Sequence, residues 1–175
     1  MLQYTSINPF GRRAVTVLGT ALVASAFAAG NGAASNGDVF TTWQTNDGKA
    51  VVEIYRCEGE KLCGRIVWLN PRLQREGSGL VDANNPDPSL RNRSICGLEV
   101  LKGLTPDQNG AWDGGRVYDP EEGRSYNAAL ASRGPNEIAV TGYLGLRALG
   151  ETMIWHKRPL AASQRCEGSS RRGTG

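Results

Sequence analysis

Histidine is almost missing from this sequence: His156 is the single one in 175 residues. That excludes a metal centre built on two imidazoles. A marked excess of charge is missing as well. Twenty lysines and arginines face 17 aspartates and glutamates, for a net charge of +3. Nucleic-acid binders concentrate a much stronger basic surplus on one face. No long stretch keeps helical periodicity, so a helical bundle has no support. No GxxxxGK[ST] or GxGxxG string offers a phosphate cradle, and no GxSxG string offers a serine elbow. There is no Cys-x-x-Cys pair for zinc, and no cysteine precedes Cys57 to carry a lipoprotein anchor. What remains is a chain with 39% hydrophobic and 21% charged residues and 23 glycines. That composition suits one turn-rich globular domain.

The first segment reads as an export signal. Arg12 and Arg13 supply positive charge, residues 14–28 are mostly apolar, and Ala26-Phe27-Ala28 gives a small-x-small cleavage site. A membrane span needs about 20 apolar residues, and this run is shorter and rich in alanine. The arginine pair also permits twin-arginine export. Cleavage after Ala28 removes both arginines and no acid, leaving 18 basic against 17 acidic side chains. A domain so near neutrality lacks an electrostatic grip on nucleic acid or an anionic membrane. The expected layout is a signal peptide at 1–28, a flexible tether at 29–37, a folded domain at 38–160 and a flexible tail at 161–175. The expected location is periplasmic or secreted, with no membrane span left after signal removal.

The cysteines Cys57, Cys63, Cys96 and Cys166 agree with that address. An even number in an exported chain favours disulfides over reactive thiols. Four cysteines allow three pairings. Cys57 and Cys63 flank a short turn, so their bridge is the first expectation, with Cys96 and Cys166 left over.

From residue 40 onward, short runs of β-branched and aromatic residues alternate with turn residues. Strands are expected near 40–45, 50–55, 61–69, 95–101, 116–118, 124–130, 137–143 and 152–157. Asn46-Asp47-Gly48 marks a tight hairpin. Residues 70–92 carry Pro71, Pro86 and Pro88 among aspartates and asparagines, which reads as one long ordered loop. About eight short strands without helices indicate an all-β fold, a small antiparallel barrel or sandwich. A closed barrel removes exposed edges and can enclose a small cavity.

The candidate chemistry is sparse. Asp82, Asp87, Asp113 and Asp119 could act as paired acid and base. Aspartates at turns more often cap their own backbone or pair with arginines such as Arg91, Arg93 and Arg116. The string from Asp82 to Asp87 lacks the spacing and distal glutamate of an EF-hand loop. His156 reads as a lone packed histidine. The aromatics Trp43, Trp68, Trp112, Trp155, Tyr118, Tyr126 and Tyr143 lie on or beside strands. Core filling is their first expectation, and a ligand cavity needs some of them to face open space.

Several strings occur in a telling order: GKAVVEI from Gly48, LCGRIVWL from Leu62, DANNPD from Asp82, CGLEVL from Cys96, GRVYDP from Gly115, GRSY from Gly123, and Gly142-Tyr143. Together they resemble the bacterial family called Domain of Unknown Function 2147, over residues 40–158. The resemblance implies an exported, mostly periplasmic protein with a lipocalin-like barrel. It brings no catalytic residue. The Cys166 tail lies beyond the family pattern, which leaves the second disulfide open.

The resulting expectation is a non-enzymatic, lipocalin-like binder of a small apolar molecule, a lipid or fatty acid. Trp43, Trp68, Tyr118, Tyr126 and Tyr143 are the cavity candidates, with Arg65 and Arg116 as partners for an acidic head group. No cofactor, metal or nucleic acid is expected, and no protein partner is specified. A filled barrel acting in envelope structure is the alternative. A hydrolase using Asp82, Asp87 and Asp119 comes last.

Overall fold

Alternating inward and outward side chains build eight antiparallel strands. They are β1 (Thr42–Gln44), β2 (Ala50–Cys57), β3 (Lys61–Leu69), β4 (Glu99–Pro106), β5 (Trp112–Asp119), β6 (Arg124–Ser132), β7 (Glu137–Tyr143) and β8 (Glu151–Lys157). Each strand pairs with the next, and β8 pairs back onto β1 through Gln44 and His156, so the sheet closes into a barrel. The computed structural model describes residues 39–73 and 80–166, all within one unit, residues 32–175. The expected signal peptide and tether lie outside the described residues.

The count of eight strands and the closed barrel match the sequence expectation, and two strands differ most in extent. The strand expected at 95–101 starts only at Glu99 and runs to Pro106. Gly64 lies opposite Leu101 and Arg65 opposite Glu99, so Val100 is an extra residue in a bulge. Val100 and Leu101 are both buried as a result. The strand expected at 116–118 starts at Trp112, because Gly114-Gly115 forms a second register shift instead of a break. A Cβ on Gly115 would sit 2.5 Å from Leu104 Cγ and 2.7 Å from Leu104 N. Only glycine permits β4 and β5 to approach so closely.

The strand directions give the barrel two different ends. At one end lie the β2–β3, β4–β5 and β6–β7 turns. There Trp43, Leu62, Leu104, Trp112, Leu130 and Ile138 occupy the interior as a buried cluster. Phe40 packs edge-on against Trp112 across this end, with ring centroids 5.5 Å apart. The other end carries the β1–β2 hairpin, the β5–β6 turn and the long β3–β4 loop. Gly48 takes a positive φ of 69° in the hairpin, as the Asp-Gly signal requires.

Both disulfides form. Cys57–Cys63 closes the β2–β3 turn, and Cys96–Cys166 ties the end of the long loop to the C-terminal segment. The expected flexible tail therefore needs correction over residues 161–166. Cys166 N donates to Val67 O at 2.9 Å, and Arg165 Nη1 donates to Glu53 Oε1 at 2.6 Å. Just before that segment, the Arg158 guanidinium stacks over Trp68 at 3.9 Å. The physical reason is cover. Val51 and Val67 point out of the barrel, yet both are fully buried.

Candidate ligand cavity

The long loop is held onto the barrel by a buried carboxylate. Asp82 is 0% exposed. Its Oδ1 accepts from Tyr118 OH at 2.7 Å, and its Oδ2 accepts from Asn85 Nδ2 at 2.7 Å and Arg93 Nε at 2.8 Å. Burial pushes the Asp82 carboxyl up, but these three hydrogen bonds and the Arg93 charge outweigh burial and hold it below its ordinary value. The Tyr118 hydroxyl is raised, first by burial and then by its bond to Asp82. Beside this network Asn84 Nδ2 donates to Glu121 O at 2.7 Å. Gly123 completes the join: its φ is +67°, and a Cβ there would meet Asn84 O at 1.8 Å.

Beneath the loop lies a cavity of about 400 Å³. Val52, Ile66, Val100, Val117, Met153 and Trp155 line it from five strands, and Leu80 and Ile95 of the loop roof it. Its charged groups all stand at the rim: Asp47, Lys49, Asp119 and Glu121. Lys49 Nζ lies 2.5 and 2.7 Å from the two Glu121 oxygens and 3.5 Å from Asp47 Oδ2. The hydrogen bond it donates to Glu121 raises the Lys49 ammonium above its usual value. Burial pushes the Asp47 carboxyl up, yet bonds from Thr45 and Lys49 hold it below its usual value. The β1–β2 hairpin and the β5–β6 turn stand on opposite sides of an eight-stranded ring. The Lys49–Glu121 pair thus spans the mouth.

Of the sequence candidates, Tyr118 lines this cavity. The others stand elsewhere. Trp43 is core, with its indole N–H donated to Val39 O at 2.8 Å. Trp68 lies on the outer face under Arg158. Tyr126 gives its hydroxyl to Glu122. Tyr143 OH donates to Asp113 Oδ1 at 3.0 Å, on a carboxylate that also pairs with Arg147. Arg65 is engaged outside the barrel with Glu53, 2.7 Å from Nη2 to Oε2. Arg116 is exposed on the outer face, where Nη2 reaches Ser125 O at 3.5 Å. Sequence reasoning did not place Val52, Ile66, Val100, Val117, Met153 or Trp155 at a site. The period-two alternation marks them as inward, but nothing local marks which inward positions face empty space.

The carboxylates are held by their own surroundings. Asp87 caps the short turn at Pro88–Leu90 by accepting from Ser89 N, and Asp119 accepts from Glu121 N. His156 is exposed, with Nδ1 3.4 Å from Glu137 Oε1. Among the described residues, no group of three His, Cys, Asp or Glu side chains could hold a metal ion. A larger cleft of about 780 Å³ lies outside the barrel, along Arg93, Glu99, Lys102, Arg116 and Ser125. Its acid is already engaged: Glu99 accepts from Tyr55 OH at 2.7 Å and sits 4.0 Å from Lys102. The interior cavity, apolar with a polar rim, is the better candidate for a small ligand.

A closed eight-stranded antiparallel barrel with a loop-roofed interior cavity is a lipocalin-like architecture. In keeping with this, the chain is similar to a solved structure described as "Protein HP1028 from the human pathogen Helicobacter pylori belongs to the lipocalin family". The TM-score is 0.58 at 24% identity, over 71% of this chain and 84% of that one. At that identity the likeness shows the fold. The chain belongs to the bacterial family DUF2147, described as "uncharacterized protein conserved in bacteria", whose model matches residues 41–157. No curated protein matches it.

Proposed function

We propose that this is an exported, non-enzymatic barrel that holds a small, largely apolar molecule in the cavity under the β3–β4 loop. The observation that carries this reading is the cavity itself. It is a largely apolar, loop-roofed space of about 400 Å³ in a barrel whose other half is occupied by large buried side chains. That volume falls within the usual range for small-molecule sites. Two disulfides support an oxidising compartment, in keeping with the signal-like segment at 1–28. The engaged carboxylates and the single exposed histidine support a binding role over catalysis.

The test is displacement of the neutral dye N-phenyl-1-naphthylamine from the oxidised protein by medium-chain apolar compounds. Ala50→Phe places a ring into the cavity and is expected to abolish dye binding while the thermal midpoint is retained. Arg116→Ala, on the outer face, is expected to leave dye binding intact. No dye binding by the parent protein, or unchanged binding by Ala50→Phe, overturns the reading. Cell fractionation checks export: the protein is expected in the periplasm or medium, and a cytoplasmic pool with free thiols contradicts it.

A further inference from the structure

Among the described residues, two tryptophan N–H groups are buried without an acceptor, those of Trp112 and Trp155. They differ in place. Trp112 sits in the filled half, 1% exposed and packed on Phe40. Trp155 is 3% exposed and lines the cavity. A buried donor left without a partner costs roughly 1–3 kcal/mol, and native structures keep few of them. Where such a donor lines a ligand cavity, an acceptor on the ligand relieves it. Trp43, the third inward-facing indole, has its acceptor in Val39 O and offers nothing.

The charges around the cavity bear on the same question. Three carboxylates, Asp47, Asp119 and Glu121, face one ammonium, Lys49, at the rim, and that ammonium is already shared between Asp47 and Glu121. Among the described residues, the cavity wall inside that rim carries no cation. A ligand carboxylate left at the mouth would meet like charge, and one carried inward would be buried without a counter-ion. Arg65 and Arg116, the cations considered for an acidic head group, both lie outside the barrel.

We infer that the ligand is an uncharged apolar molecule with a hydrogen-bond acceptor at its buried end, a ketone, aldehyde, ester or ether oxygen, bonded by Trp155 Nε1. The inference rests on the cavity reading and narrows it, setting free fatty acids aside. Specificity follows from the donor. An alkane of equal length leaves the indole N–H unpaired, whereas a ketone satisfies it.

The test uses 2-octanone, octane and octanoate as competitors of N-phenyl-1-naphthylamine at pH 7, with parent, Trp155→Phe and Trp112→Phe proteins. Removing the N–H at 155 is expected to weaken 2-octanone about tenfold more than octane, the scale of one hydrogen bond. Comparing the two losses cancels the shared effect of the smaller ring. Trp112→Phe is expected to weaken both equally or not at all. Octanoate is expected to bind at least tenfold more weakly than 2-octanone. If Trp155→Phe fails to fold, the parent protein still decides: the Trp155 indole ¹H–¹⁵N resonance shifts with 2-octanone and much less with octane. Equal losses for ketone and alkane, equal indole shifts, or octanoate binding tighter than ketone overturns the inference and leaves the cavity reading standing. If none of the three displaces the dye, both fall together.

Discussion

The two halves of this barrel obey the same alternation and end in opposite states. In the half at the β2–β3 turn, the inward positions hold Trp43, Leu62, Leu104, Trp112, Leu130 and Ile138, all at most 1% exposed. In the half under the long loop they hold Ala50, Val52, Ile66, Val100, Val117, Met153 and Trp155, and about 400 Å³ stays open. Four of the cavity positions are alanine or valine, whereas the other half holds only leucine, isoleucine and tryptophan among the residues named. Large residues close one end as a hydrophobic plug, which supplies the stability. A wall with Ala50 and three valines, under a roof pinned by Asp82, leaves the other end open. The packed core and the open cavity are thus divided along the barrel axis.

The strongest way to break that division is to move the void. Leu104→Ala opens the plug and is expected to lower unfolding free energy by about 2–5 kcal/mol. Val52→Ala, on the cavity wall, is expected to cost only about 1 kcal/mol, because less packing is lost there. Urea unfolding of both variants measures the contrast, and equal losses would erase it.

The disulfides sharpen the comparison at a slightly smaller scale. Cys96–Cys166 closes a separation of 70 residues and Cys57–Cys63 one of 6. Loop-closure entropy assigns roughly 4 kcal/mol to the first and roughly 2 kcal/mol to the second. Paired Cys→Ala variants, compared by denaturant midpoint, are expected to rank in that order.

The roof has its own acid limit. The folded Asp82 carboxyl is held below its unfolded value of about 3.9. Its contribution is therefore present above that pH and lost as pH falls through the lower folded value. Asp82→Asn is expected to weaken the roof by roughly 1–3 kcal/mol at neutral pH and to flatten that acid loss. Hydrogen exchange at the Asn85 and Ile95 amides reads it, while the Leu104 and Leu130 amides are expected to stay protected.

The smallest effect is expected at the mouth. The Lys49–Glu121 pair is solvent-exposed, so Glu121→Gln is expected to change stability by less than about 1 kcal/mol. Ligand exchange is expected to speed up several-fold, and added salt to do the same in the parent, as stopped-flow dye release would show.

Much of this architecture was legible in the residues. Short alternating runs gave the strand number, Asn46-Asp47-Gly48 gave the hairpin, and the short turn between Cys57 and Cys63 gave the first disulfide. The site was not legible in the same way. Trp43 and Trp155 lie on neighbouring strands with the same inward pattern. What separates them is an acceptor from Val39 for one and an open wall for the other, and both are tertiary facts. The aromatics on the outer face, Trp68 and Tyr143, misled because a ring covered by arginine or bonded to aspartate satisfies the same composition as a ring in a cavity. The bulge at Val100 and the glycine step at Gly115 also depend on how closely two strands approach. The tail from 161 was expected to be flexible, and residues 161–166 instead dock. Its docking follows from Cys96, Glu53 and Val67, which are distant in sequence.

A methyl-resolved NMR titration of the oxidised protein with 2-octanone tests the division of the barrel most directly. Saturable shifts are expected at Val52, Ile66, Val100, Val117 and Met153, with Leu62, Leu104, Leu130 and Ile138 unmoved. Shifts centred on the leucine-filled end, or none at any methyl up to the solubility limit, would contradict it.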